Sequence, residues 1–389
     1  MTTQYGDFQL EIYQAGTHGV IPRFPVDAET LERKAGEVMP DWILSYVAGG
    51  CGNERTQRAN VAAFDRWGIV PRMFNGRYER DLSIELFGMH LPTPLFTVPI
   101  GVIGICAQDF HGDLHVARAA ARTGVPVVQS TLSMDPVEDL APALGDTPGL
   151  FQLYVPKNRD LATSLIRRAE AAGYRALVIT LDTWLTGWRP RDLNRANFPQ
   201  LRGLCLANYF TDKHFRELLG APPEDDVMAA AALWASQFGN SLTWDDLAWI
   251  REATSLPVVV KGICHPDDAR KAIDLGADGI YCSNHGGRQA NGGIPALDLL
   301  PDIVAAATGV PVLFDSGVRS GTDVVKALAS GATAVGVGRS YAYALALGGE
   351  DGVVHYIRSI LAEADLLMAI DGYPTIADLR KDALQRVHS

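Results

Sequence analysis

The heptapeptide Ser283-Asn284-His285-Gly286-Gly287-Arg288-Gln289 sets a histidine and an arginine three residues apart on a glycine-bent loop. Histidine can move a proton near neutral pH. Arginine can grip a carboxylate with two parallel hydrogen bonds. Glycine admits positive φ and lets a ligand come close. These types at this spacing suggest proton removal from a small organic acid. A surface His–Arg pair on a loop would read the same in isolation, so the rest of the chain decides. The apolar run Gly279–Cys282 precedes the motif and reads as a buried strand, which places both side chains just past a strand end.

That strand is one of eight. From about residue 94 an apolar run, an Ala-rich helical segment and a glycine recur in order. The runs are 94–100, 125–129, 150–154, 176–181, 257–260, 279–282, 311–314 and 334–337. Gly124, Gly173, Gly276, Gly309 and Gly331 fit left-handed helix C-caps. Asp135-Pro136 and His265-Pro266 place proline in a first helical turn. Strands this continuously apolar belong to a parallel sheet covered by helices. The pattern predicts α/β architecture, a (β/α)8 TIM barrel with an N-terminal helical segment and a long loop after the fourth strand. A doubly wound open sheet is the competing fold, and the chain lacks the GxGxxG expected after its first strand. One domain is expected over 1–389, with 1–93 a helical cap (helices at 28–46 and 54–67), 94–389 the barrel, and 190–243 an inserted lid or a decorative excursion.

Barrel enzymes build their sites from the C-terminal strand ends. In order these carry Pro99-Ile100-Gly101, Gln129-Ser130, Gln152 with Tyr154, Thr180 with Asp182 and then Arg189, Lys261, the opening motif, Asp315-Ser316-Gly317 with Arg319, and Gly338-Arg339. The last two ends, with glycines and two arginines, suit a phosphate. Gln129, Ser130, Gln152 and Thr180 can donate and accept hydrogen bonds, as a flat polar heterocycle requires. Phosphate and ring together describe flavin mononucleotide. Lys261 beside the ring would stabilise the negative charge that develops on its reduction.

Composition narrows the field. The 389 residues carry a formal charge of −11, with 47% hydrophobic and 20% charged residues. An acidic soluble composition argues against nucleic acid or an anionic membrane as partner. No apolar run reaches 18 residues and the N-terminal stretch lacks a signal-peptide pattern, so a cytoplasmic protein is expected. The five widely spaced cysteines read as reduced packing thiols. No His, Asp or Glu cluster has metal-ligand spacing, so no metal is expected.

At these residues the chain resembles the FMN-dependent α-hydroxy-acid oxidase family. The markers are Ser45-Tyr46-Val47-Ala48-Gly49-Gly50, Phe151-Gln152-Leu153-Tyr154, Val260-Lys261-Gly262, the Ser283–Gln289 motif and the Asp315–Arg319 loop. Within the family it looks most similar to the lactate 2-monooxygenase group. Its telling stretches are 99–103, 106–109, 187–192 and 201–206. The resemblance implies His285 as the base, paired with Asp182. It implies Arg288, Arg189 and Tyr46 on the substrate carboxylate, with Tyr154 near the substrate hydroxyl or carboxylate. FMN would rest on Pro99, Ile100 and Gly101. Ser130, Gln152, Thr180, Lys261 and Ser283 would line its polar edges. Asp315, Gly317, Arg319, Gly338 and Arg339 would hold ribityl and phosphate.

Three departures stand out from the plant members' pattern. Leu132 replaces an aromatic of the substrate pocket, Gly101 replaces an alanine and should leave space by the flavin, and Ser316 replaces a loop glycine, a change expected to be harmless. Tyr209 is a candidate lid residue. The expected reaction is oxidation of a small L-2-hydroxy acid, above all L-lactate, by O2. Products would be acetate, carbon dioxide and water, or pyruvate and hydrogen peroxide if the oxo acid escapes first. The family implies a homotetramer or homo-octamer. A flavin-binding protein without activity would lose the base or an arginine, and both are present. A flavin-free barrel enzyme acting on a phosphorylated substrate could share the phosphate loops.

Overall fold

The computed structural model describes residues 4–74, 76 and 78–387. Met1–Thr3, part of the N-terminal stretch read above, lie outside the described residues. Four helices lead in: α1 (Asp7–Thr17), α2 (Ala28–Val38), α3 (Asp41–Ala48) and α4 (Arg55–Asp65). The single helix expected over 28–46 is thus broken in two. Pro40 stands at the break, because its ring excludes the N–H and clashes with the carbonyl four residues back. Helix α1 was not foreseen, nor were three short strands, β1 (Trp67–Ile69), β2 (Ile84–Leu86) and β3 (Met89–Leu91). β2 and β3 form an antiparallel hairpin. Its turn residue Phe87 packs so tightly against Gly279 that a Cβ there would lie 2.9 Å from the ring. Gly279 opens its strand, so Phe87 plugs the barrel end opposite the strand C-termini.

The eight apolar runs form β4 (Leu95–Thr97), β5 (Val127–Ser130), β6 (Gly149–Leu153), β7 (Leu177–Thr180), β8 (Val258–Ile263), β9 (Gly279–Cys282), β10 (Val312–Phe314) and β11 (Ala334–Val337). They close into one parallel barrel, with β4 pairing with β11. An open doubly wound sheet is thereby excluded. Nearly every strand residue is buried, which is why the runs are continuous rather than alternating. Helices α5 (Gly112–Thr123), α6 (Val137–Ala143) and α7 (Arg159–Ala171) follow the first three barrel strands. Pro136 precedes α6 instead of opening it.

After β7 the chain makes α8 (Pro190–Leu193), α9 (Ala207–Phe210), α10 (Lys213–Leu219) and α11 (Val227–Gln237) before the outer helix α12 (Asp246–Glu252). The 190–243 segment is therefore largely helical. Asp212 and Asp226 cap α10 and α11, and Phe215 and Trp234 are buried. Helices α13 (Pro266–Asp274), α14 (Ala296–Ala306) and α15 (Gly321–Ala329) complete the ring with α16 (Arg339–Asp371), which bends at Gly348-Gly349. A last strand, β12 (Leu384–Arg386), returns to pair with β1. The five cysteines are free, and all but Cys264 are buried. Among the described residues no helix is long and apolar enough to cross a membrane, and no group of residues could hold a metal ion.

Candidate active site

The His285 loop is held in a rare backbone shape. His285, Gly286 and Gly287 are all left-handed, with φ of 57°, 61° and 74°. Such a shape costs a histidine on the order of 1 kcal/mol and needs outside support. Ser283 Oγ accepts from the His285 N–H at 3.0 Å, and Ser316 Oγ accepts from the Gly286 N–H at 3.1 Å. Asn284 and Asn60 of α4 exchange two side-chain hydrogen bonds of 2.7 and 2.8 Å. A Cβ at Gly287 would lie 2.5 Å from the Gln57 nitrogen, so only glycine lets α4 close against the loop.

Asp182, just beyond β7, receives the imidazole. Its Oδ1 lies 2.8 Å from His285 Nδ1, and Thr183 Oγ1 bridges to both at 2.9 and 3.1 Å. With Nδ1 engaged, Nε2 is the nitrogen left for the cleft that His285 lines. Lys261 Nζ lies 3.9 Å from Asp182 Oδ2. Burial pushes the Asp182 carboxyl up, but the charges of His285 and Lys261 outweigh it and hold Asp182 well below the usual carboxylate range. Burial, then Lys261 and Arg189, lower the His285 pKa against the pull of Asp182. The resting pair is thus a neutral imidazole on an ionised carboxylate, ready to accept a proton.

Four arginines converge on this cleft: Arg189, Arg288, Arg319 and Arg339. None forms an ion pair among the described residues; they donate to carbonyl, amide and hydroxyl oxygens instead. The C-terminus of α3 holds two of them. Arg288 Nη1 reaches the carbonyls of Tyr46, Val47 and Gly49, and Arg339 reaches those of Val47 and Gly49. A helix C-terminus carries only about half a negative charge, so much of the positive charge remains uncompensated. Burial pushes Arg288 down to about 10 and Arg339 down to about 9. Both stay cationic at neutral pH. A buried charge without a counter-ion is costly, and an anionic ligand would relieve that cost. Tyr46 lies beneath two of the arginines, its ring centre 4.9 Å from the Arg288 guanidinium carbon and 5.6 Å from that of Arg189. Burial, with the Asp182 and Tyr46 charges, pushes the Tyr154 hydroxyl far up, so it remains a hydrogen-bond donor.

One cleft enclosing about 1000 Å³, its open mouth included, joins these groups. Tyr46, Tyr154, Arg189, His285, Arg288, Pro99, Ile100, Gly101, Lys261, Asp315, Gly317, Arg319, Gly338 and Arg339 all line it. Asp182 stands behind that wall on His285, and Ser130, Gln152, Thr180 and Ser283 stand behind it in two hydrogen-bonded chains. Ser130 donates to Gln152 at 3.0 Å and Gln152 to Thr180 at 2.9 Å. Lys261 donates to Ser283 at 3.2 Å and Ser283 to Asp315. The strand register creates the neighbours, since Ser130 pairs with Gln152 and Thr180 with Lys261.

Some expectations need correction. Tyr209 does not reach the cleft; it is buried against Phe215, 5.7 Å between ring centres. The space expected beside Gly101 is taken by Leu132, whose Cβ would lie 3.1 Å from a Cβ at Gly101. Ser316 does more than fill a glycine position. It sits at φ +93°, and its Oγ accepts from the Asn284 and Gly286 N–H groups. Gln289, Thr183, Phe198 and Phe238 also belong to the site and were not assigned a role from sequence. Gln289 ends the quoted motif, so its place beside Arg288 was the available signal. Phe198 and Phe238 bracket the insertion without any local pattern.

Residues 35–386 match the FMN-dependent dehydrogenase family. An FMN-dependent alpha-hydroxy acid dehydrogenase of Penicillium citrinum is 40% identical, over 98% of this chain and 96% of that one. An L-lactate oxidase of Lysinibacillus sphaericus is 40% identical, over 92% of each. The solved structure of a soluble mutant of the membrane-associated (S)-mandelate dehydrogenase from Pseudomonas putida superposes with a TM-score of 0.83 at 36% identity, covering 93% of this chain and 99% of that one. The barrel and its cleft are those of an oxidoreductase acting on α-hydroxy acids. The chain belongs to the FMN-dependent α-hydroxy-acid oxidoreductase family, and its cofactor is FMN. The residues fit that group. Uncompensated Arg319 and Arg339 beside Gly317 and Gly338 suit its phosphate, and the Pro99–Gly101 wall suits a flat ring.

Proposed function

We propose that the protein oxidises L-lactate with O2 and releases acetate, carbon dioxide and water. The reading is carried by one cleft that brings the free nitrogen of His285 together with the unpaired guanidiniums of Arg189 and Arg288. Those two arginines and the Tyr46 hydroxyl bind the substrate carboxylate. Tyr154 donates to the substrate hydroxyl or carboxylate. His285 Nε2 takes a proton, from the hydroxyl if the electrons leave as a hydride and from the α-carbon if they leave through a carbanion. Asp182 stabilises the imidazolium that results. When bound, FMN would supply the two-electron acceptor and the link to oxygen as final oxidant.

Pro99, Ile100 and Gly101 would support the flavin ring, with Ser130, Gln152, Thr180, Lys261 and Ser283 along its polar edges. Asp315, Gly317, Arg319, Gly338 and Arg339 would take ribityl and phosphate. The 190–243 segment serves as the lid, since Phe198 and Phe238 from it line the cleft. If the lid holds pyruvate beside peroxide, the two react to acetate, carbon dioxide and water. The L-lactate oxidase relative favours a second reading, in which pyruvate and hydrogen peroxide leave separately. The family resemblance makes a homotetramer or homo-octamer the proposed assembly, and exposed Leu10, Tyr13, Val20 and Ile21 on and after α1 are available to a contact between copies.

Product analysis after aerobic turnover of the flavin-loaded protein with L-lactate tests the reading. Acetate with little free peroxide is expected. Pyruvate with an equal amount of peroxide would replace it with the oxidase reading. A flavin that lactate fails to bleach without oxygen would reject both.

A further inference from the structure

The insertion after β7 delivers two phenylalanines to the cleft from distant points of the chain. Phe198 precedes the turn at Pro199–Arg202, and Phe238 directly follows α11. Each lies against one of the two cleft tyrosines. Phe198 is 6.2 Å from Tyr46, and Phe238 is 5.6 Å from Tyr154 in an edge-to-face contact. Trp234 joins the phenylalanines from behind, 6.3 Å from Phe198 and 5.2 Å from Phe238. Trp234 is 1% exposed, so it is fixed by packing and the phenylalanines cannot easily retreat into the protein. The five rings form an arch from one tyrosine to the other. Leu132 also lines the cleft, and its contact with Gly101 closes the gap beside it.

Resting on the reading that this site takes 2-hydroxy acids, we propose that Phe198 and Phe238, braced by Trp234, are the specificity-determining residues that confine the substrate to a short aliphatic side chain. The carboxylate is bound by arginines and the reacting carbon faces His285, so the remaining substituent must meet the apolar walls. A packed aromatic wall rejects excess volume because neither ring can move without disturbing the arch. Lactate's methyl group fits such a space; a butyl or phenyl group requires a phenylalanine to leave.

The test compares the flavin-loaded wild type with Phe238→Ala and Phe198→Ala. For each, kcat/KM is measured for lactate and 2-hydroxyhexanoate, and affinity for the unreactive acids acetate and hexanoate by calorimetry. The expected result is a rise of about tenfold or more in the long-to-short ratio, in both turnover and binding, as for discrimination of several methylenes. Should an alanine variant fail to fold, the same ratios are read in Phe238→Leu and Phe198→Leu, with a smaller rise expected. Unchanged ratios, with both acids falling together, would overturn the proposal and leave the arch a packing device. Failure of the functional reading is separable. A wild type that turns over neither hydroxy acid would sink that reading, while the hexanoate-to-acetate binding ratio would still judge the arch.

Discussion

Gln289 donates its side-chain N–H to the carbonyl oxygen of Asp182 at 3.0 Å. The same amide donates to the Leu185 carbonyl at 2.8 Å, and its oxygen accepts from Arg189. One side chain on the histidine loop therefore sets both the start of the neighbouring loop and the arginine that closes it. Gln289→Leu should leave flavin content unchanged and raise the lactate KM about tenfold, the worth of one charge-assisted hydrogen bond. Gln289→Glu should raise it further, because a carboxylate there would compete with substrate for Arg189. Steady-state kinetics with flavin quantitation decides. Flavin loss with an unchanged KM would contradict the positioning role.

The pH profile follows from the His285–Asp182 pair. The base must be neutral, and the imidazole pKa is depressed by burial. Activity is therefore present at neutral pH and lost only as pH falls through a value below the ordinary 6.5. Asp182→Asn removes the carboxylate that raises that pKa. The acid limb of kcat/KM should move to still lower pH, while kcat falls by roughly a hundredfold as the imidazolium loses its partner. An acid limb that moves upward would refute the assignment.

Ser316 separates two opposing effects. Its φ of +93° strains any residue other than glycine, by about 1 kcal/mol. Its hydroxyl accepts two backbone hydrogen bonds, each worth about 1 kcal/mol net. Ser316→Gly relieves the strain and loses the bonds, so its melting temperature should stay near that of the wild type. Ser316→Ala keeps the strain and loses the bonds, and should melt well below Ser316→Gly. Thermal melts of the flavin-loaded variants give the order directly.

The uncompensated arginines make stability depend on an anion. Flavin-free protein should melt higher as inorganic phosphate is added, by an amount that corresponds to about 2.7 kcal/mol at a hundred times the dissociation constant. In Arg339→Met that dependence should be largely lost, along with most of the FMN affinity. A phosphate response equal to that of the wild type would place the anion elsewhere.

The barrel was legible because burial on both faces of a parallel strand leaves an unbroken apolar run. Gly279–Cys282 and Ala334–Val337 emerged with their observed limits. Most residues that line the cleft sit just after those runs, so their convergence could be read from strand ends, whereas Tyr46 of α3 was placed by the family resemblance. What escaped depended on contacts between distant segments. Pro40 should have divided the first long helix on local grounds. The alternation at 84–91 about Phe87-Gly88 also carried a hairpin signal. By contrast, no local feature joins Phe198 to Trp234 and Phe238, and none shows that Tyr209 faces away from the cleft. The hold of the α3 carbonyls on Arg288 and Arg339 was likewise invisible, because main-chain acceptors leave no mark in side-chain sequence.

Closure of the sheet between Leu95 and Val335 has a temporal consequence. The Pro99–Gly101 wall is synthesised early, whereas Arg319 and Arg339 emerge only with the final barrel strands. If Arg319 and Arg339 take the phosphate as proposed, a nascent chain that ends before β10 owns a surface for the flavin ring but no seat for its phosphate. Cofactor capture must therefore wait until the polypeptide joins its last strand to its first, and the long-range pairing that sets folding speed also times the arrival of colour.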